Sequence, residues 1–161
     1  FKIQNYDRIF TMIKKRGFTL PELLITMTIA VIIAGVALVF TNPAGKLARS
    51  RNARRNADIQ TIMNALGQRI ADNRGIFSCH VGNLPASSTR MMSPPGGFDV
   101  SQCLVPAYLV SLPFDPGVAG AHFATTTDYD TAYAISQSAT SGRITIMAIY
   151  PELGENVGVT R

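Results

Sequence analysis

The chain has 161 residues, which is enough for one ordinary domain or for a long helix and a small domain. Apolar residues make up 47% of it and charged residues 16%, and the apolar excess lies almost entirely between Phe18 and Phe40. The formal charge of +5 is uneven, because residues 1–55 carry ten Lys and Arg against two acids, and residues 56–161 carry five against eight. The C-terminal part is therefore mildly acidic, which argues against a basic nucleic-acid-binding surface on it.

Residues 14–27, KKRGFTLPELLITM, place three cations and a glycine directly before the apolar run. Leu23–Phe40 contains no charge over 18 residues, and at about 1.5 Å per residue such a helix approaches the roughly 30 Å of bilayer hydrocarbon. A secretory signal would instead carry a small-residue cleavage site after its apolar core. One carboxylate, Glu22, stands at the start of the run. A helix N-terminus favours it there, but lipid penalises an unpaired charge.

The stretch KKRGFTLPELL resembles the processing site of type IV prepilins and pseudopilins. The resemblance implies that a prepilin peptidase cleaves after Gly17, so that Phe18 becomes the N-methylated N-terminus and Glu22 the fifth mature residue. The apolar helix then stays in the mature protein, where Glu22 is expected to pair with the Phe18 amine of a neighbouring subunit. The expected partners are identical subunits in a filament, the peptidase, the pilus assembly machinery and, before assembly, the inner membrane.

The same resemblance implies an α+β, type IV pilin-like fold, in which a long N-terminal helix packs on a small antiparallel β-sheet head. The helix is expected to be apolar in one half and amphipathic in the other. We expect four segments: a leader at 1–17, a transmembrane or filament-core helix at 18–40, a stalk helix at 41–73 and a head at 74–161. Because MIKKRG from Met12 would make a complete short leader, we expect translation to start at Met12, with residues 1–11 upstream of it.

The stalk helix is predicted from a helix-breaking pair of residues and from the helical spacing of the apolar residues that follow it. Asn42-Pro43 predicts an end or kink after the apolar run. Beyond it, apolar residues at helical spacing indicate one buried face, namely Ile59, Ile62, Met63, Leu66 and Ile70. By resemblance, this half packs on the head, and Gly35 or Pro43 lets the helix stretch in a filament. The alternative is that Pro43 simply ends an anchor helix.

The basic stretch Lys46–Arg55 holds five cations, more than the KKR leader. Counted by the positive-inside rule, this would place the head in the cytoplasm. We favour the opposite orientation, because the prepilin-like motif implies it. The stretch is then expected to pair with acids of neighbouring subunits or to form a solvated helix face.

Cys79 and Cys103 are the two cysteines of the chain. In an exported domain such a pair predicts a disulfide, here closing a loop of about 25 residues and worth roughly 3–4 kcal/mol. The loop is rich in Pro, Gly and Ser, so we expect it to have little core of its own. The alternative is a metal site that adds His80 and His122, although this spacing matches no common zinc pattern.

Two strand signals lie in the last third of the chain. TAYAISQ (131–137) and RITIMAIY (143–150) predict a β-hairpin, and the segment before it, LVPAYLVSLPFDP (104–116), resembles the one that precedes the sheet in major pseudopilins. The residues expected to face the stalk helix are Ile144, Ile146, Ala148 and Tyr150.

Three carboxylates near this hairpin are weak calcium candidates, because hard cations prefer carboxylate oxygens. They are Asp115, Asp128 and Asp130. The stretch TTTDYDT lacks the regular spacing of an EF-hand loop, so no cofactor is expected beyond this weak possibility for calcium.

The sequence contains no nucleophile elbow, zinc-protease motif or phosphate-binding glycine loop, so we do not expect an enzyme. We predict a pilin, the structural subunit of an extracellular type IV pilus-like filament, held in the cytoplasmic membrane before assembly. Two alternatives stay open. One is the major pseudopilin of a type II secretion-like system, and the other is a membrane-tethered binding domain that never polymerises.

Overall fold

The computed structural model describes residues 17–161. The chain divides into two compact units, one ending at Asn42 and the other running from Pro43 to Arg161. The first unit contains the helix α1 (Leu20–Thr41). The second contains α2 (Pro43–Asp72), β1 (Thr89–Met92), α3 (Ser101–Leu104), β2 (His122–Thr125), β3 (Asp128–Gln137), β4 (Ile144–Ala148) and β5 (Gly158–Thr160). This is the predicted α+β pilin-like composition of a long helical segment and a small antiparallel sheet.

The helix α1 is apolar on every side. Its large apolar side chains, from Leu20 to Phe40, are 46–85% exposed, so no face is covered by the described part of the chain. Its two internal hydroxyls are satisfied within the helix, because Thr26 and Thr28 donate to carbonyl oxygens three residues earlier at 2.9 and 2.8 Å. A helix built in this way exposes no unpaired hydroxyl to an apolar medium.

The break predicted from Asn42-Pro43 lies where expected. The helix α1 ends at Thr41 and Asn42 adopts a left-handed conformation with φ 38° and ψ 64°, one that Asn tolerates better than most residues. The proline then opens α2, at a position where its missing N–H costs no hydrogen bond. Gly35 lies inside α1 and does not interrupt it.

The five strands form one antiparallel sheet in the order β1-β3-β4-β5, with β2 also pairing with β3. The predicted hairpin is confirmed, because β3 and β4 form a continuous antiparallel pairing. It begins with Tyr133 opposite Ala148 and ends with Gln137 opposite Ile144. The pairing of β3 with β1 and its pairing with β2 each contain one register shift of the β-bulge kind.

The predicted apolar face of α2 forms the centre of the core. Ile59, Ile62, Met63 and Leu66 are buried and Ile70 is partly buried, and α2 contacts both β4 and β5. On β4 the alternation predicted from the sequence buries Ile144, Ile146 and Ala148.

The prediction for Tyr150 is wrong. The strand β4 ends at Ala148, and Tyr150 lies beyond it with 53% of its surface exposed. Proline cannot donate to a sheet ladder, and Pro151 follows directly, which favours ending the strand before it.

The 79–103 loop, expected to have little core of its own, contributes residues to the core of the whole second unit. It contains the strand β1 and most of α3. Met91 on β1 and Val100 before α3 are fully buried, and both belong to the same core cluster as the stalk residues. The loop is thus an integral part of the second unit.

Candidate processing and assembly site

The segment before α1 is open to another protein. Gly17, Phe18 and Thr19 have no regular secondary structure and are exposed, Phe18 by 74%. Helix geometry begins at Leu20, and Pro21 occupies the first turn, where a proline is tolerated. The predicted scissile bond between Gly17 and Phe18 therefore lies in accessible, non-helical backbone.

Glu22 caps the start of α1. It is the third residue of the helix, and its Oε2 accepts from the Thr19 backbone N–H at 3.4 Å and from the Thr19 hydroxyl at 3.5 Å. This is the glutamate half of a capping box, which satisfies an N–H that the helix leaves unpaired. Both contacts are long for hydrogen bonds, so the carboxylate keeps acceptor capacity for a stronger donor.

The helix that follows is long and apolar enough to cross a membrane. No part of its most apolar stretch is buried in the described chain, and from Leu20 to Thr41 its 22 residues correspond to about 33 Å at 1.5 Å per residue. A continuous apolar surface of this size requires lipid or another protein to cover it.

Residues 12–38 carry the prokaryotic N-terminal methylation motif. This is the prepilin-type motif of type IV pilins and pseudopilins, and it supports a substrate of prepilin peptidase. The matched residues include Gly17, Phe18, Glu22 and most of α1, and they include none of the second unit. No curated protein and no solved structure matched the chain.

C-terminal to the methylation motif, two arginines of the basic stretch Lys46–Arg55 form ion pairs with acidic residues of the head of the same chain. Arg55 is 1% exposed, and it donates from Nε to Asp115 at 2.8 Å and from Nη1 to Glu152 at 2.9 Å. Arg51 binds the same Glu152 through two hydrogen bonds of 2.7 and 2.6 Å. The expectation that the whole stretch faces neighbouring subunits or solvent is therefore wrong for these two arginines.

Further contacts complete this cluster, which we call the stalk clamp and define as Arg51, Asn52, Arg55, Asp115 and Glu152. The amide of Asn52 donates to the Glu152 carbonyl at 2.8 Å, and its oxygen accepts from the Glu152 N–H at 3.1 Å. Asp115 also accepts from the Gly117 N–H at 2.8 Å. A side chain at Gly117 would collide with the Arg55 guanidinium and would have to displace it within the clamp.

The stalk clamp keeps its charges over a wide pH range. Hydrogen bonds from Arg51 and then Arg55 lower the pKa of Glu152 to about 2. Burial works against the charged form of Arg55, but the hydrogen bonds to Asp115 and Glu152 outweigh it and raise the Arg55 pKa above its ordinary value. The ion pairs of Glu152 with Arg51 and Arg55 are thus formed throughout the physiological range.

The two cysteines are bonded to each other in the structure, as the sequence predicts, with their Cα atoms 5.9 Å apart. His80 Nδ1 lies 3.8 Å from each sulfur, so three of the four residues in the alternative metal site are adjacent. His122 is not among them. A disulfide sulfur is a poor metal ligand compared with a thiolate, so the alternative metal site would require both cysteines to be reduced.

His122 has a different environment, on β2. Its Nδ1 lies 2.7 Å from the Gly120 carbonyl oxygen and its Nε2 lies 3.1 Å from Asp128 Oδ1. Both neighbours are acceptors, so both contacts are hydrogen bonds only when the imidazole is protonated on both nitrogens. The Gly120 carbonyl and then Asp128 accordingly raise the pKa of His122.

The three calcium candidates each face a different cation. Asp115 binds Arg55 in the stalk clamp, Asp128 binds His122, and Asp130 Oδ1 accepts from Arg90 Nε at 2.7 Å. Among the described residues, the three carboxylates do not form a common metal-ligand cluster. Calcium binding stays a prediction to which this geometry adds no support.

Proposed function

We propose that this chain is a pilin, the structural subunit of an extracellular type IV pilus-like filament. In this proposal, prepilin peptidase cleaves the precursor after Gly17 while α1 anchors it in the cytoplasmic membrane. The mature chain then leaves the membrane and joins identical subunits through α1. The protein has no catalytic role of its own in this account.

One observation supports the proposal above the others. The methylation motif at residues 12–38 leads into a helix whose apolar side chains are exposed on every side. A membrane anchor alone would explain the apolar surface, but it would not explain a cleavage motif that leaves the anchor on the mature chain. Transfer of α1 from lipid to a bundle of identical helices accounts for both features, because each environment covers the same apolar surface.

The position of Glu22 fits such a bundle. Cleavage after Gly17 would create a positively charged amine on Phe18, and the Glu22 carboxylate has spare acceptor capacity. A pair between this carboxylate and the amine of the next subunit would neutralise both charges inside an apolar core. A buried ion pair contributes little net stability against a hydrophobic alternative, but it penalises misaligned packing strongly because either charge alone is costly.

A pilus is favoured here over a secretion pseudopilus by the head. The disulfide between Cys79 and Cys103 closes a segment that supplies buried residues to the core, which suits a subunit exposed outside the cell. The three candidate calcium ligands are engaged by His122, Arg90 and Arg55. The head therefore has electrostatic partners for these acids without a metal.

Replacement of Glu22 with Ala or Gln tests this proposal. We expect cleavage after Gly17 to continue, because the scissile bond lies outside the helix, and we expect filaments to be lost. The measurement is electron microscopy of sheared surface material, with antibody labelling of this chain.

The matched control is Thr28→Val, which changes a polar side chain of α1 without altering its charge and should leave the filaments intact. Unimpaired filaments in Glu22→Gln would contradict the pairing. Absence of this chain from all sheared filaments of the unmodified strain would contradict the pilin function itself and would favour a tethered domain.

A further inference from the structure

The cations after α1 divide between two faces of α2. No acidic residue lies between Glu22 and Asp58, whereas five cations lie within Lys46–Arg55. Arg51 and Arg55 are used by the stalk clamp. The other three are exposed on α2 and form no ion pair with a residue that the structure describes. They are Lys46, Arg49 and Arg54.

Helical spacing explains the division. Ala48, Asn52, Arg55 and Ile59 follow one another at intervals of four, three and four residues and are buried, so they define the face of α2 toward the head. At 100° per residue, Lys46 falls about 150° and Arg49 about 90° from the centre of this face, and Arg54 falls about 130° from it in the other direction, so none of the three lies on the buried face. The stalk clamp of the second unit therefore uses two of the five cations, and the other three remain exposed.

We propose that Lys46 and Arg49 form a binding site for anionic phospholipid headgroups next to the membrane span. The helix α2 begins two residues after the end of α1, so its first turns follow the apolar segment directly. From the start of α2, Lys46 is about 4.5 Å along the helix, Arg49 about 9 Å and Arg54 about 17 Å. The Debye length is about 8 Å at physiological salt, so a charged surface acts mainly on cations within about that distance of it.

The exposed acids of the second unit are less suitable partners. Those acids are Asp72, Asp128 and Glu155, and each already has a partner within the chain. Asp72 accepts from the Tyr108 hydroxyl at 2.9 Å, Asp128 faces His122, and Glu155 accepts from Asn52 at 2.9 Å. Lipid phosphates, by contrast, are present in excess beside any membrane-anchored chain.

This inference rests on α1 being the membrane anchor of the precursor, as in the proposed function. It adds a role to the precursor stage, since the basic pair would hold the start of α2 at the membrane surface until assembly. A basic residue near an anionic surface contributes about 1 kcal/mol, or about a fivefold preference. Extraction into a filament would then have to release the lipid from both residues.

The test is lipid competition on the full chain in a neutral detergent. Equal amounts of phosphatidylglycerol and phosphatidylcholine are added, and native mass spectrometry counts the bound molecules of each. We expect phosphatidylglycerol to be preferred, the variant Lys46→Gln/Arg49→Gln to reduce that preference about 25-fold, and Arg54→Gln to change it less than twofold. Arg54 is the control, because the same charge is removed from an exposed position of the same helix that is farther along the chain from the span.

Three results would overturn the inference. The first is equal binding of the two lipids, and the second is an equal loss of preference in the double variant and in Arg54→Gln. The third is a double variant that keeps its lipid preference but no longer forms filaments, which would assign the two cations to a second copy of the chain. Absence of both lipids from every variant counts as equal binding, whereas filaments on normal cells would still support the pilin function.

Discussion

The helices α1 and α2 follow each other in the chain but satisfy their side chains in opposite ways. The helix α2 buries one face, including Ile59, Ile62 and Leu66, against its own sheet and loops. The helix α1 exposes large apolar side chains along its whole length. One helix thus has its partner within the chain, and the other must find it in lipid or in other copies. Substitutions in α2 should therefore act on folding, and substitutions in α1 on insertion and assembly.

The stalk clamp provides the largest expected effect. Replacing Arg55 with Met should lower the free energy of unfolding of the head by about 3–5 kcal/mol, because the buried Asp115 side chain loses its ion-pair partner. The measurement is guanidinium denaturation of the full chain in detergent, in which unfolding is monitored by the near-ultraviolet circular dichroism of the tyrosines. Arg54→Met removes the same charge one residue away, on the exposed side, and should stay within about 0.5 kcal/mol of the parent.

The outcome also depends on the partner. An apolar replacement of both members, Arg55→Met with Asp115→Leu, should recover much of the loss because no buried charge is left unpaired. Equal destabilisation by Arg54→Met and Arg55→Met would contradict the burial of Arg55 and with it the stalk clamp.

A second comparison uses one residue type in both helices. Ile62 on α2 is fully buried and Ile32 on α1 is 65% exposed. Ile62→Ala should cost about 2–5 kcal/mol of head stability through lost burial and a cavity, whereas Ile32→Ala should leave the unfolding transition of the head unchanged. The same denaturation experiment measures both. A loss of head stability in Ile32→Ala would show that α1 is covered by its own chain, as α2 is, and would contradict the contrast between the two helices.

Acid should weaken the stalk clamp in a defined range. The pKa of Glu152 falls from an ordinary 4.5 to about 2 in the folded chain, through Arg51 first and then Arg55. A depressed carboxyl pKa contributes stability that is present above pH about 4.5 and is lost as the pH falls toward about 2. Thermal unfolding of the full chain at several pH values should show a decline over this interval, and Glu152→Gln should make it shallower. An identical pH dependence in the variant would exclude Glu152 as its source.

Much of this architecture follows from local sequence patterns. The spacing of Ile59, Ile62 and Leu66 predicts the buried face of α2, and the alternation in β4 predicts its buried side. The Asn42-Pro43 pair predicts the end of α1. These predictions succeed because each depends on residues a few positions apart, where helix and strand geometry decide which side chains share a face.

The features that local sequence patterns do not predict depend on residues that are distant in the chain. Arg55 resembles the cations beside it, and only its partners distinguish it, 60 residues away at Asp115 and 97 away at Glu152. Helical spacing did indicate the burial of Arg55, since Arg55 shares a face of α2 with Ile59 and Ile62. A basic residue on such a face, however, more often lies at its solvent-exposed edge than in the core. The strand β1 was missed because its four residues, TRMM, are too few to show alternation, and β3 supplies its register.

The central claim is that the chain is cleaved between Gly17 and Phe18 and that α1 then forms the core of a filament. The most direct measurement is mass spectrometry of the N-terminal peptide from sheared, purified filaments. We expect a peptide that begins at N-methylated Phe18, in material of high molecular mass that contains this chain as a major component. An intact leader on chains found only in the membrane fraction would contradict the account.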